Sequence, residues 1–319
     1  MHFAGRRVYL TGATGFIGGA IADRLLAAEA DVTCLVRPGT PATRLEARGA
    51  TIQRGDITDP RTLDLTDQGI VIHAAAWVGF GIPSHKRALF RQTNVDGTRH
   101  VVEAARKADV PRFVHISSIA ALGATGDEPA TEDTPRSLSY QSDYERTKTE
   151  AHEAAAHFPG AAIPMPGIVL GPHGPFEPLF RALAEGRIPA LLSGDASKGW
   201  VHVDDVADAV LTASLRGRGD YLLVDQNLRL TELMIAALEE AGLPVPRLRV
   251  PAGLLSAAGH VVEGAYKMVR RTPPVSGELL ASLRAPMRYD SSRARNILEW
   301  RPQLVRKLAN DLLAMKHGY

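Results

Sequence analysis

Residues 7–18 read RVYLTGATGFIG, and this stretch decides the fold. Val8, Tyr9 and Leu10 make a short apolar run of the kind that forms a buried strand. Gly12, Gly15 and Gly18 follow at three-residue spacing, and FIGGAIADRLLAAEA (16–30) then carries apolar residues at helical intervals. A glycine-rich turn between strand and helix lets the backbone approach a pyrophosphate closely. The helix N-terminus adds N–H donors and the positive end of its dipole. The spacing is GxxGxxG rather than the commoner GxGxxG. Its place after a first strand and at the opening of a helix predicts a dinucleotide site lined by Gly12, Thr14, Gly15, Phe16, Ile17 and Gly18.

Working outward, short apolar runs continue to alternate with helical patterns. DVTCLV, ATIQRG, GIVIHAAA and PRFVHISS read as strands two to five, and NVDGTRHVVEAARKADV reads as an intervening helix. Strands separated by helices pair in parallel, and right-handed crossovers put helices on both faces. The fold class is therefore α/β, a doubly wound parallel sheet. Pro and Gly crowd residues 163–178, which read as a strand followed by a loop. Further helices are expected at about 204–215, 231–241 and 252–270, with short strands near 221–224 and 247–250. Residues 1–165 form the nucleotide-binding domain, to which about 200–225 return. Residues 166–319 are mainly a smaller mixed α/β substrate lobe, and the cleft between the two is the expected substrate site.

The end of the second strand distinguishes the two nicotinamide dinucleotides. An NAD site carries an Asp or Glu there for the ribose 2′-hydroxyl. This strand ends LVRPGT, with no carboxylate and with Arg37 beside the place. A guanidinium suits a 2′-phosphate, so NADP(H) is expected over NAD.

The chemistry is carried by Ser117 and Ser118, where the fifth strand ends HISS, and by Tyr144 and Lys148 in YERTK. The strand's carboxyl edge is where open α/β sheets bind ligands. Tyr144 and Lys148 are four apart and share a helix face. An adjacent ammonium, together with the positive nicotinamide of an oxidised complex, favours the phenolate and lowers its pKa. The phenol then exchanges a proton with a substrate oxygen while hydride moves to or from a nicotinamide.

Bulk properties exclude other classes. The 319 residues are 45% hydrophobic and 23% charged, and 37 basic residues nearly balance 35 acidic ones for a net charge of +2. No field of that size points to nucleic acid or an anionic membrane. Cys34 stands alone in VTCLV, which rules out a disulfide framework. The N-terminal apolar stretch is short and broken by glycine, unlike a signal peptide. Residues 252–269, the longest weakly polar segment, contain His260, Glu263 and Lys267 and make a poor membrane span. The expected location is cytoplasmic.

These motifs together resemble the short-chain dehydrogenase/reductase superfamily in its extended branch, the NAD-dependent epimerase/dehydratase type. The resemblance covers nearly the whole chain: TGATGFIG, GDITD (55–59), HAAA (73–76), NVDGT (94–98), HISS, YERTK, PGIVLGP (166–172) and WVHVDDVADA (200–209). It implies that Ser118 is the catalytic serine, Tyr144 the acid–base group, and Lys148 a further hold on the nicotinamide ribose. Asp56 and Ile57 would line the adenine pocket, and Ala74, Ala75 and Ala76 would run along the cofactor with Pro166 and Ile168. Asn94 would brace the sheet. His202, Asp204 and Asp205 would close the lobe interface, with no metal role. A homodimer through the helices at about 85–108 and 142–157 is also implied.

The C-terminal region resembles the 3β-hydroxysteroid dehydrogenase-like and dihydroflavonol-reductase-like groups, in which PP begins a helix over the cleft and YDSSRA returns to the core. Trp77, Val78, Phe80 and the 252–270 helix are candidates for an apolar pocket. The nucleotide-sugar enzymes share the frame. Their SxxxxP-like pattern after the fourth strand is absent here, and acidic neighbours are missing at Ile119 and Ala120. Lys198 stands near the place of their phosphate-binding Arg. The expected activity is an NADP(H)-dependent interconversion of alcohol and ketone or aldehyde on a bulky, mostly apolar small molecule. A nucleotide-sugar epimerase or dehydratase with tightly bound NAD, and a non-catalytic NADP-binding scaffold, are the alternatives.

Overall fold

A computed structural model describes residues 2–78, 87–123, 128–136, 140, 142–193, 195–251 and 287–318. Phe80 and the expected 252–270 helix lie outside these. The first half alternates β1 (Arg7–Thr11), α1 (Phe16–Ala27), β2 (Asp31–Val36), α2 (Thr43–Ala47), β3 (Thr51–Arg54) and β4 (Ile70–His73). It continues through α3 (Arg87–Arg91), a π-helical turn (Gln92–Asp96), α4 (Gly97–Lys107), β5 (Arg112–His115), α5 (Asp143–Ala156) and β6 (Ala162–Pro166). The remaining elements are β7 (Ile168–Leu170), α6 (Glu177–Ala184), β8 (Ala190–Ser193), β9 (Lys198–His202), α7 (Val203–Arg216), β10 (Gly219–Leu223) and β11 (Gln226–Leu228). The chain then runs through α8 (Leu230–Glu240), β12 (Leu248–Pro251), α9 (Ser292–Ile297) and α10 (Leu304–His317).

Seven strands form one sheet in the order β3-β2-β1-β4-β5-β6-β10, and every pairing is parallel. Side chains alternate across it, so one strand feeds two cores. Val8 and Leu10 of β1 join a cluster with Ile21 and Leu25 of α1 and Val206 and Val210 of α7. Tyr9, between them, joins Val101 and Ala105 of α4 and Phe158 on the opposite face. Order reverses between β1 and β4, and the carboxyl ends of β1, β4 and β5 meet there.

Beyond β6 the chain builds smaller mixed sheets. β9 pairs in parallel with β7 and antiparallel with β11, and β12 pairs with β8. Leu170, Phe180, Trp200, Leu233 and Leu308 form their separate core. The expected strands near 221–224 and 247–250 are β10 and β12, each shifted by a residue or two.

One local departure matters for the site. The expected continuous helix across 85–108 is interrupted by the π-helical turn. Thr98 Oγ1 donates to the Asn94 carbonyl at 2.7 Å, and the Asn94 side chain is drawn into bonds with the chain after β4. Such extra-residue turns recur at functional sites.

Candidate active site

Gly12 closes the turn after β1 with φ +76°, a conformation that favours glycine. A Cβ there would lie 2.6 Å from Ala75 N and 2.7 Å from Ala74 C. A Cβ on Gly18 would come within 2.1 Å of the Gly12 carbonyl oxygen. Both positions are closed to any other residue without backbone movement. Gly15 caps α1 in extended geometry with no side-chain cap, and the first turn of α1 holds no acidic residue. Its N–H donors are thus left for an anion, which fits a dinucleotide pyrophosphate. Thr14 is exposed beside them, while Phe16 and Ile17 are half-buried. Gly174, in the lobe, packs against the Phe16 ring.

The chain leaving β4 is held along this turn. Ala74 N donates to Thr11 O at 3.3 Å and Ala75 N to Thr11 Oγ1 at 3.2 Å. His73 lies between Thr11 Oγ1 (2.7 Å) and Thr98 Oγ1 (2.9 Å). Burial, with the nearby charge of Lys148, pushes its pKa down to about 3. Asn94 clasps Trp77 by both backbone groups, N–H to Oδ1 at 2.7 Å and Nδ2–H to O at 3.0 Å. Asn94 Nδ2 also reaches Thr147 of α5 at 3.3 Å. Asn94 therefore braces the loop after β4 against α5. The half-buried Trp77 ring stands 5.8 Å from Phe90, which meets the Tyr144 ring edge-on at 6.2 Å.

Ser142 caps α5 and accepts from Glu145 N at 3.2 Å. The helix thus begins just before Tyr144. Ser118 caps the 3₁₀ turn Ile119–Leu122, its Oγ accepting from Ala120 N at 3.1 Å. Ser118 also shares a hydrogen bond with the Tyr144 hydroxyl. Lys148, only 3% exposed, donates from Nζ to the Ile116 carbonyl at 2.9 Å. The structure thus brings together Ser118, Tyr144 and Lys148 at the end of β5.

Without a cofactor, burial dominates the electrostatics of the pair. Burial raises the Tyr144 pKa above 10, and the Ser118 bond opposes this only in part. The Lys148 ammonium is committed to a backbone carbonyl, and burial pushes its own pKa down to about 8. Desolvation outweighs the Ser118 bond, so the protein by itself holds a protonated phenol.

Arg37 is exposed beyond β2, with no carboxylate through Thr40. Arg54 Nη1 donates to the Thr40 carbonyl at 2.7 Å and braces this turn. The Asp56 carboxylate accepts from Thr58 N at 2.9 Å and Thr58 Oγ1 at 2.8 Å. The Ile57 side chain is buried against Gly97. Ala74 and Ala75 are half-buried and Ala76 exposed, while Pro166 is buried at the end of β6 and Ile168 half-buried at the start of β7. Lys198 opens β9, is 3% exposed, and burial pushes its pKa down to about 8.

His202 accepts from Asp204 N at Nδ1 (3.1 Å) and meets Asp311 at Nε2 (3.0 Å). Asp205 accepts from Gln303 N (3.0 Å) and Lys307 Nζ (2.6 Å). These side chains join α7 to α10. Among the described residues no group of three or more His, Cys, Asp or Glu is arranged to hold a metal ion. Likewise, no described helix is long and apolar enough to cross a membrane.

Sequence reasoning missed Phe90, the partner ring between Trp77 and Tyr144, and the buried partners of Ser117. The one signal for the latter is His152, four residues beyond Lys148 on the same helix face.

Residues 8–222 match the NAD dependent epimerase/dehydratase family. The chain belongs to that family. Sterol demethylase protein B of Methylococcus capsulatus is 29% identical over 321 residues, covering 96% of each chain. The 2-alkyl-3-oxoalkanoate reductase of Shewanella oneidensis is 30% identical over 288 residues, covering 82% of this chain and 73% of that protein. The crystal structure of gox2253 superposes with a TM-score of 0.79 at 30% identity, covering 98% of each chain. The family's members are NAD(P)-dependent reductases, epimerases and dehydratases of the extended short-chain type, and this chain is accordingly an enzyme that uses a nicotinamide cofactor.

Proposed function

We propose that this protein is an NADPH-dependent reductase that converts a ketone or aldehyde on a bulky, mostly apolar small molecule to the alcohol, and runs in reverse with NADP⁺. The observation that carries this reading is the Ser118–Tyr144 hydrogen bond with Lys148 behind it, at the strand edge beside the glycine turn. When bound, the nicotinamide supplies or accepts hydride. Tyr144 gives its phenolic proton to the substrate oxygen, and Ser118 orients that oxygen. Lys148 holds the nicotinamide ribose and supplies positive charge behind the phenol. A phenol kept protonated by burial suits the acid role, which is the role reduction needs.

Gly12, Gly15 and Gly18 hold the pyrophosphate, and Arg37 takes the 2′-phosphate in the absence of any carboxylate at the end of β2. The Trp77–Phe90–Tyr144 line of rings supports an apolar substrate, and the relative from Shewanella oneidensis is by name a reductase of an alkylated oxo acid. Lys198 is a candidate contact in the substrate lobe. We read residues 1–165, with 200–225 returning, as the cofactor domain, because β10 completes the large sheet. We also read the enzyme as a cytoplasmic homodimer built on the helices at 87–107 and 143–156.

The test is consumption of NADPH with a panel of alkyl and aryl ketones, wild type beside Tyr144→Phe. Turnover that vanishes in the variant while NADPH still binds supports the reading. NAD that survives purification, with sugar-nucleotide turnover and no net cofactor oxidation, overturns it in favour of an epimerase.

A further inference from the structure

Three successive residues leaving β5 each grip one residue of α5. The Ile116 carbonyl holds Lys148 Nζ, Ser117 Oγ lies 3.0 Å from His152 Nδ1, and Ser118 bonds the Tyr144 hydroxyl. Tyr144, Lys148 and His152 are spaced four apart and fall on one face of α5. The middle clasp has no part in the proposed chemistry. Ser117 is 5% exposed and His152 2%.

The far side of His152 is anchored as well. Nε2 lies 3.2 Å from Asp220 Oδ2, on β10. Arg136 Nη2 donates to the same oxygen at 2.9 Å and abuts Nε2. Arg136 already neutralises Asp220, so the imidazole joins serine to carboxylate without needing a charge. Burial, and the nearby Arg136 and Lys148 charges, favour the neutral ring over the pull of Asp220. The chain thus runs from the corner that carries Ser118, through α5, to the sheet edge and to the segment 128–136. That segment is tied to β10 a second time, where the Glu132 carboxylate accepts from Leu222 N at 2.8 Å.

Resting on the reading above, we propose that His152 is a positioning residue of this site. By joining Ser117 to Asp220 and Arg136, it fixes the corner at 116–118. Ser118 Oγ and the Ile116 carbonyl then stay in register with Tyr144 and Lys148. Freeing Ser117 lets the corner shift, and hydrogen-bonded geometry at a reacting centre tolerates little displacement.

The experiment uses the full-length protein with His152→Phe, Ser117→Ala, the double variant and His152→Gln. Three quantities are read: affinity for NADPH, affinity for adenosine 2′,5′-bisphosphate, which reaches only the adenine end, and kcat against KM for a ketone the wild type reduces. Each single variant is expected to weaken NADPH about three- to tenfold, the worth of one buried hydrogen bond. The bisphosphate affinity should stay unchanged, and kcat should fall more than KM rises. The double variant should be no worse than His152→Phe, because both remove one link. His152→Gln, which keeps a polar reach to Ser117 or Asp220, should recover part of the loss.

Variants that match the wild type in all three quantities overturn the proposal while leaving the reductase reading intact. So does a parallel loss of both affinities that tracks melting temperature, since that marks mere structural support. A wild type that binds bisphosphate and NADPH but reduces no carbonyl overturns the reductase reading. The NADPH-to-bisphosphate ratio of the variants then still decides the role of His152.

Discussion

Lys148 Nζ and the Ile116 carbonyl are 2.9 Å apart, and that bond ties α5 to the strand end where Ser118 emerges. The same buried setting governs the ionisation of the lysine. Burial pushes its pKa from 10.5 to about 8, so the ammonium begins to lose its proton just above neutrality. With the charge gone, the positive potential behind Tyr144 goes too. The rate of reduction, read as kcat/KM for the free enzyme, should therefore fall above about pH 8. Lys148→Arg keeps its charge at every accessible pH. It should remove this alkaline limb, at a lower plateau because the guanidinium does not fit the lysine's place. A profile whose limb stays near pH 8 in Lys148→Arg would assign the ionisation to another group.

Tyr144→Phe removes a hydroxyl and leaves a ring that still packs edge-on against Phe90. A positioned general acid contributes about 10²–10⁴-fold, so turnover should drop by that amount while NADPH affinity and melting temperature hold. Ser118→Ala loses the Oγ that accepts from Ala120 N and bonds the phenol. It should cost less, about 10–10²-fold, because it orients rather than transfers the proton. Single-turnover measurement with NADPH separates these losses from slow product release.

Much of this is legible in the amino-acid sequence. β1, β2, β4 and β5 are short, mostly apolar runs, because the interior of a parallel sheet is buried on both faces and each run must satisfy two cores, as Val8, Tyr9 and Leu10 do; the edge strand β3, TIQR, is more polar. The glycine turn and YERTK are readable because each pattern is contained within a few consecutive residues. What stayed hidden depends on distant pairs. His152 meets Asp220 sixty-eight positions away, from a helix whose polar residues look like a solvated face. The π-helical turn exists because Asn94 turns to the backbone of Trp77, a contact that no helical periodicity announces. The raised pKa of Tyr144 in the protein alone is likewise invisible in the sequence, which places Lys148 beside it but shows neither the burial of the phenol nor the bond of the ammonium to Ile116.

On the proposed reading, Arg37 sets the cofactor preference. Its guanidinium is exposed past β2, on a turn that Arg54 braces through the Thr40 carbonyl. A hydrogen bond to a charged group contributes about 1.5–3 kcal/mol, roughly a 10–100-fold change in affinity. Arg37→Ala should weaken NADPH by that factor and leave NADH unchanged, measured by quenching of tryptophan fluorescence. Raised salt should narrow the wild-type preference, because the contact lies in solvent. Equal affinities for the two cofactors in the wild type would defeat the assignment.

The buried histidines set the acid limit of stability. Burial pushes His73 down to about 3, drives His115 well below 6.5, and lowers His152. The unfolded chain protonates each near pH 6.5, while the folded chain refuses the proton until a lower pH. Unfolding then takes up protons throughout that window. Stability is complete above about pH 6.5 and is lost as pH falls toward the folded values, by roughly 1.4 kcal/mol per pH unit for each histidine. His115 is the informative one, because neither ring nitrogen has a hydrogen-bond partner among the described residues, and its ring lies 5.2 Å from that of His73. Phenylalanine there keeps the ring, removes both unsatisfied nitrogens and cannot titrate. His115→Phe should hold or gain about 1 kcal/mol at pH 7 and flatten the fall of melting temperature between pH 6.5 and 5. A variant whose melting temperature falls as steeply as the wild type's would show that His115 takes no part in the acid transition.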